Sequence, residues 1–558
     1  MFKKNKIALG VAAGFVGMVG IMSSAQAVHV NKDGTGQALL FPYYNAQEGY
    51  VTNINLINST DETKAVRIRF REGKDSRDVL DFNLYMSPED VWTGSIKMDT
   101  TKGVPMGSVT TSDHTCALPA LASCKEGKCS VTEPFDGYEY YGDVDAGDTL
   151  EGYVEVIEMG VVTDSAVQYG VLHQRGEPNN CGVVADAWYR NVFKTGRAYA
   201  AAGLSAPTGG LMGSSAILNV AEGAAFAVDP IAFDNYTTEA FHTRPDDNEM
   251  FDLPSFASGS ITSSEVMVKK DDGTVDLVVT DWQKYHHPNG NTGDACLLDG
   301  HPKTPACGDN PYPVAHALLA SNIMNEYFLD PTDGYDGHTD WVVTFPMKKL
   351  GVFNTDGITQ LTKTEVLNDK EYPTGEYVCQ DKAGNQYPLE DVNPDCKLYG
   401  DVQAYFGESI FDREEGRVED ANFSPYSSYP RVLEREVNVL SFISTDPSYD
   451  DSRTVLSSDH TLPEGKAHAD LGGLDADDFV VTDAFVSGWA RMSFPAWYNL
   501  SGFIDGYPRP YGENADSYSV DSFIYKGVPV AGFAAIEGNV SQNANARFGD
   551  AIPHKVQR

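Results

Sequence analysis

Residues 64–86 read KAVRIRFREGKDSRDVLDFNLYM, and the reading of this stretch decides the fold class. Val66, Ile68 and Phe70 alternate with Arg67, Arg69 and Arg71. A strand turns successive side chains to opposite faces, so one face is apolar and the other carries three guanidiniums. The expectation is a strand with its apolar face in a core and its arginine face in water. After the polar turn Glu72–Ser76 the alternation resumes, with Leu80, Phe82, Leu84 and Met86 set against Asp81, Asn83 and Tyr85. Asn53–Asn58 and Val91–Ile96 flank the pair, separated from it by Asn, Ser, Asp and Pro clusters that favour turns. Four short, regularly spaced strands predict a mainly β protein with an immunoglobulin-like β-sandwich core.

On the arginine face the side chains stand about 6 to 7 Å apart along the strand. Asp78 and Asp81 are their natural cross-strand partners. As an exposed contact strip, Arg67, Arg69 and Arg71 would meet an acidic face of a neighbouring copy or the phosphates of lipopolysaccharide. On this reading Arg69→Ala leaves folding intact and at most weakens assembly.

The chain starts with Lys3, Lys4 and Lys6, an apolar run from Ile7 to Met22, and the small residues Ala25 and Ala27. This pattern predicts a secretory signal peptide over residues 1–27 and an extracellular or cell-surface location. The apolar run is shorter than the roughly 20 residues of a membrane span, and no later segment qualifies, so the mature chain is expected not to span a membrane. The leader holds three lysines and no acid, so the remainder of a chain of net charge −39 carries −42. Such an excess of carboxylate argues against nucleic acid as a partner. It also repels itself unless cations intervene, which points to structural Ca²⁺.

Eight cysteines in an exported chain imply disulfides. Cys296–Cys307 and Cys379–Cys396 each enclose a polar, turn-rich loop. Cys116, Cys124, Cys129 and Cys181 allow three pairings, among which we favour Cys124–Cys129 around Lys-Glu-Gly-Lys together with Cys116–Cys181. Segments 99–150, 234–312 and 354–430 are rich in Asp, Gly, Pro and Ser and read as long, disulfide-stapled insertions in the β core. The expected organisation is an N-terminal β-sandwich domain over 28–235 with its Cys-rich insertion at 99–150. A loop-rich insertion follows over 236–312, then a C-terminal β domain over 313–558 with a stapled insertion at 354–430. Further strands are expected at 152–162, 214–220, 224–233, 341–345, 437–443, 489–494 and 530–536, and one or two short helices at 184–194 and 314–328.

Motifs for chemistry are sparse. There is no GxSxG, HExxH or phosphate-binding glycine loop, and the chain is not expected to be an enzyme. Glu155 and Glu158 share one strand but should face opposite sides, which spoils a glycosidase-type pair. Asp281 with His286, His287 and His301 reads as a polar loop rather than a metal site. Asp330, Asp333, Asp336 and Asp340, around two glycines, form the best candidate Ca²⁺ loop, without the fixed spacing of an EF-hand. Asp143–Asp148 and Asp475–Asp478 are shorter versions.

Three stretches carry a resemblance: HVNKDGTGQALLFPYYNAQEGYVTNINLINST at 29–60, MNEYFLDP at 324–331 with TDWVVTFP at 339–346, and GVPVAGFAAIEG at 527–538. Together they resemble the surface-layer (S-layer) proteins of marine gammaproteobacteria. The resemblance implies a secreted structural protein that assembles with copies of itself into a lattice outside the outer membrane and contributes to the biofilm matrix. It carries no site motif, so no residue role follows from it. The alternatives are a secreted hydrolase or carbohydrate-binding protein, for which Tyr138, Tyr140, Tyr141 and Trp282 are available, and a surface adhesin.

Overall fold

Alternation of apolar and polar residues builds most of the strands. In the N-terminal half these are β1 (Ala38–Asn45), β2 (Val51–Asn58), β3 (Lys64–Glu72), β4 (Asp78–Met86), β5 (Val91–Asp99), β6 (Met106–Thr111), β7 (Glu151–Val162) and β8 (Leu211–Asn219). A ribbon follows, β9 (Ser263–Lys269) and β10 (Val275–Asp281). The C-terminal half contributes β11 (Asn322–Phe328), β12 (Tyr335–Thr344), β13 (Ala404–Asp412), β14 (Val437–Ser444), β15 (Ser487–Ser493), β16 (Ala531–Val540) and β17 (Arg547–Pro553). These come from a computed structural model that describes residues 27–119, 130–140, 144–190, 192–193, 196–198, 203–244, 254–269, 274–281, 310–329, 335–348, 378–380, 386–388, 404–412, 417–419, 431–433, 435–444, 454–458, 480–481, 487–494, 497–499, 524–540 and 547–558. The protein is mainly β, with three short α-helices among the described residues.

Four large sheets stack as layers. An outer N-terminal sheet runs Ala224–Val228, β8, β2, β5, β6, Val131–Pro134. The inner N-terminal sheet runs His29–Asn31, Ile231–Asp234, β1, β7, β3, β4, Cys116–Leu118. Between these two lies a layer that includes Phe41, Ile54, Leu56, Ile68, Phe70, Phe82, Trp92 and Val156. In the C-terminal half an inner sheet (Val480–Val481, β14, β12, β16, β17) faces an outer one containing β13, β15, β11 and Lys555–Gln557. Their shared layer includes Ile323, Tyr327, Trp341, Val343, Leu440, Phe442 and Met492.

A third apolar layer joins the halves. It takes Leu40, Tyr43, Tyr153 and Ile157 from the inner N-terminal sheet, and Val342, Val437, Val439, Phe533 and Ala535 from the inner C-terminal sheet. Both inner sheets are therefore covered on both faces, and every residue of β1, β3 and β7 is buried. The strands approach closely here: a Cβ at Gly152 would meet the Arg71 carbonyl oxygen at 1.9 Å.

Several expectations need correction. The arginine face of β3 is not wet: Arg67, Arg69 and Arg71 are at most 1% exposed. The segments around His242 and Pro254 lie against that face, so the strip is not open to another copy or to lipopolysaccharide. Segment 99–150 is not a mere decoration, since β6 and Val131–Pro134 add two strands to the outer sheet. Likewise β13 lies inside the expected 354–430 insertion yet pairs with β15 from Gly407–Ser493 to Asp412–Gly488. The apolar run expected as a helix at 314–328 splits: Tyr312–Leu318 is helical, and Asn322–Phe328 is strand β11. In β11 Ile323, Asn325 and Tyr327 are buried on alternate positions, a period of two that competes with the helical one. A helix at Gly182–Tyr189 fits the expectation for 184–194, and one at Ser165–Val171 was not foreseen. Its start is set by Asp164, whose carboxylate accepts the N–H groups of Ala166 and Val167.

Candidate functional site

The cations of β3 sit in a buried ion network. Arg67 pairs with Asp81 and donates to Asn83 Oδ1 at 3.1 Å. Arg69 donates to Asp78 Oδ2 at 2.6 Å and to the Pro254 carbonyl at 2.7 Å, and lies 3.6 Å from Glu155. Arg71 pairs with Glu155 at 2.8 Å and donates to the Ser76 carbonyl at 2.9 Å. Near the other end of β3, Lys64 donates to Glu158 at 2.7 Å, and Glu158 also accepts the N–H groups of Thr208 and Gly209. Register places Glu155 opposite Arg69 and Glu158 opposite Val66, so the two glutamates occupy opposite faces. Each has a cation partner instead of a second carboxylate. Beside Arg67, burial pushes His242 down to about 3, and its Nε2 lies 3.0 Å from the Tyr85 hydroxyl, so this imidazole is neutral.

A second polar cluster lies where the halves meet. Tyr43 donates to Glu151 Oε1 at 2.5 Å, and Ser458 donates to Glu151 Oε2 at 2.8 Å. Tyr50 donates to the Val455 carbonyl at 2.5 Å, Asn45 to the Leu456 carbonyl at 2.6 Å, and Thr344 to the Pro42 carbonyl at 2.7 Å. Apart from the Tyr43–Glu151 bond, which lies within the N-terminal half, each of these bonds joins the N-terminal half to the C-terminal half. Buried polar groups without partners are costly, so this set fixes one orientation of the halves.

Asp340 belongs to this cluster. The sequence places it in an acidic loop, but β12 begins at Tyr335, so Asp336 and Asp340 are strand residues. The Asp340 carboxylate is buried and accepts the Leu456 N–H at 2.8 Å. Burial raises it to about 6, against the opposing effect of the Leu456 and Ser441 hydrogen bonds. Asp330 and Asp333 lie outside the described residues. Among the described residues no group of three or more His, Cys, Asp or Glu side chains is placed to hold a metal ion.

Cys116 and Cys181 form a disulfide with Cα atoms 5.2 Å apart, tying the edge strand Cys116–Leu118 to the start of the Gly182–Tyr189 helix. Cys124, Cys129, Cys296, Cys307 and Cys396 lie outside the described residues, and Cys379 falls in the strand Val378–Gln380. His286, His287, His301, Tyr141, Trp282 and the Asp475–Asp478 cluster are also outside them. No protein-family model, curated protein or solved structure matches the chain. Among the described residues no helix is long and apolar enough to cross a membrane.

Two features escaped the sequence. One is the turn Glu72–Arg77, which carries Glu72 and Asp75 against Glu436 at the start of β14; nothing in the local pattern ties positions that far apart. The other is the outer face of the β9–β10 ribbon. There Met267, Val275, Leu277 and Val279 are all about half exposed, with Met267 paired to Leu277. The alternation of Val275, Leu277 and Val279 was legible as a strand, but its apolar face reads as core, not surface. The opposite face is anchored: Val266 is buried and Ser264 lies 2.7 Å from His316 Nδ1.

Proposed function

We propose that the chain is a secreted structural protein that self-assembles into a cell-surface layer, is stabilised by divalent cations such as Ca²⁺, and contributes to the biofilm matrix. The observation that carries this reading is the apolar strip Met267, Val275, Leu277 and Val279 on an anchored ribbon of an otherwise strongly acidic molecule. Contiguous exposed apolar residues mark association surfaces. In β10 they lie on a strand whose one strand neighbour among the described residues is β9. The occupant is a second copy of the chain, and contact between unlike patches of successive copies extends without closing.

Charge supports the role of cations. Lys64, Arg67, Arg69 and Arg71 are neutralised internally by Glu158, Asp81, Asp78 and Glu155. These pairs cancel, so the acidic excess, −42 once the leader with its three lysines is removed, is carried by the rest of the molecule. Copies carrying that charge repel unless cations bridge them. The two pairs of facing sheets are read as immunoglobulin-like sandwiches, and lipopolysaccharide as the anchor, bridged through Ca²⁺ and not through the buried arginines.

The test is electron microscopy of the purified mature protein with Ca²⁺, with a chelator, and as Leu277→Asp. Ordered sheets that dissolve on chelation and fail to form in the variant are expected. A wild-type protein that stays monomeric with Ca²⁺ at every concentration overturns the proposal.

A further inference from the structure

The junction between the halves has a second contact, built from the turn after β3 and the residues before β14. Val437 donates its N–H to the Gly73 carbonyl at 2.8 Å, and Gly73 donates to the Glu151 carbonyl at 2.9 Å. Phe345 donates to the Glu436 carbonyl at 2.7 Å. The approach is tight, since a Cβ at Gly73 would stand 3.1 Å from the Val437 Cβ. Into this contact the chain places three carboxyl groups. The Glu72 carboxylate is held by the N–H groups of Lys74 at 2.6 Å, Asp75 at 3.0 Å and Arg77 at 2.6 Å. Glu436 is fully buried, and neither of its carboxyl oxygens has a hydrogen-bond partner.

The surrounding charges come from every neighbouring element. The turn supplies Glu72, Asp75, Lys74 and Arg77; Lys348 follows β12; Tyr153 stands on β7; and Arg435 precedes Glu436 itself. Arg435 and Lys74 lie 3.4 and 3.5 Å from Asp148, which engages both. Asp75 and Glu72 act on Glu436 as like charges, against the opposite charges of Lys348 and Arg77.

We infer that this contact is a proton-held clasp: Glu436 is enclosed as a neutral acid, and its ionisation loosens the union of the Glu72–Arg77 turn with β14. An ionised carboxylate without hydrogen bonds in this enclosure is far more costly than a neutral one. Burial, with Asp75 and Glu72 adding to it, holds Glu436 well above the usual carboxylate range, and burial with Asp75 raises Glu72 to about 7. Both shifts are upward, so the native state binds more protons than the unfolded chain. The stability is fully present below the unfolded value and is lost as pH rises to the folded one. Asp340 and Glu72 lose their contributions as pH rises through about 6 and about 7, and Glu436, raised in the same direction, adds a loss of its own on the way to its folded value. The clasp thus makes the relative hold of the two halves responsive to pH, independently of whether the protein forms a layer.

The test is urea unfolding of the mature protein without divalent cations between about pH 7 and about pH 9, for wild type, Glu436→Gln and Asp340→Asn. Wild type and Asp340→Asn should lose folding constant more steeply with rising pH than Glu436→Gln, by up to about tenfold per pH unit. Hydrogen exchange of the Val437 amide in wild type gives a readout that needs no variant: its protection should fall over the same window. A Glu436→Gln protein that keeps the wild-type slope overturns the proposal. So does a wild type whose stability falls instead in acid while Glu436→Gln abolishes that fall, which would make Glu436 an ionised partner of Lys348. A slope removed by Ca²⁺ in wild type but not in Glu436→Gln would show a bound cation in place of the proton, and equally overturns it.

Discussion

β2 and β3 are neighbours in sequence with the same kind of alternation and opposite fates. In β2, Val51–Asn58, buried and half-buried residues alternate along the whole strand. In β3, Lys64–Glu72, all nine residues are buried although apolar and basic residues alternate. The difference is the layer each strand occupies. β2 belongs to an outer sheet with one neighbour layer, and β3 to an inner sheet with one on each side. Alternation therefore reports that the two faces of a strand meet different surroundings; it does not report that one of them meets water.

That comparison can be broken by mutation. The largest effects are expected on β3, on both faces. Phe70→Ala removes a ring packed against Phe82 and Phe135 and should cost about 3–5 kcal/mol in urea unfolding. Arg69→Ala should cost a similar amount, about 3–5 kcal/mol, because it takes from buried Asp78 the guanidinium that donates to it at 2.6 Å and breaks the buried network shared with Glu155. This reverses the reading of an exposed strip, in which Arg69 is dispensable for folding. An Arg69→Ala protein with wild-type stability would restore the wet-face picture.

Replacing Cys116 and Cys181 together by Ser should cost about 2–4 kcal/mol, given their separation of 65 residues, read as a lower midpoint under non-reducing conditions. Asp340→Asn probes the joint between the halves. The Asp340 carboxyl is raised, so its contribution is present below the ordinary carboxylate range and disappears as pH rises through about 6. Wild type should lose roughly 1–3 kcal/mol there, and the variant should not. The smallest effect belongs to β2: Asn55→Ala, which removes a half-exposed bond to Ser214 at 3.2 Å, should stay within about 0.5 kcal/mol.

Much of the fold was legible for identifiable reasons. Strand positions followed from apolar periodicity, as at Gly152–Val162, found as Glu151–Val162, and at Val437–Ile443, found as Val437–Ser444. The Cys116–Cys181 pairing agreed with the pairing we favoured. The junction residues were harder. Tyr43, Glu151 and Ser458 become one cluster only because β1, β7 and a segment some three hundred residues later converge, and no spacing within any of those segments encodes it. Asp340 looked like a loop ligand because Asp and Gly surround it. Instead, pairing with both β14 and β16 drew it into a central strand.

By itself the sequence determined most of the strands, their two unlike faces and the acidic excess, because these depend on composition and on residues a few positions apart. The tertiary structure alone decided that the inner sheets have no wet face, that the arginines of β3 are interior ion pairs, and that Glu436 is sealed against Glu72 and Asp75. Burial is a property of the layer laid over a strand. Here that layer comes from segments far away in sequence: the C-terminal inner sheet over β1 and β7, and the stretch around His242 and Pro254 over the arginines of β3.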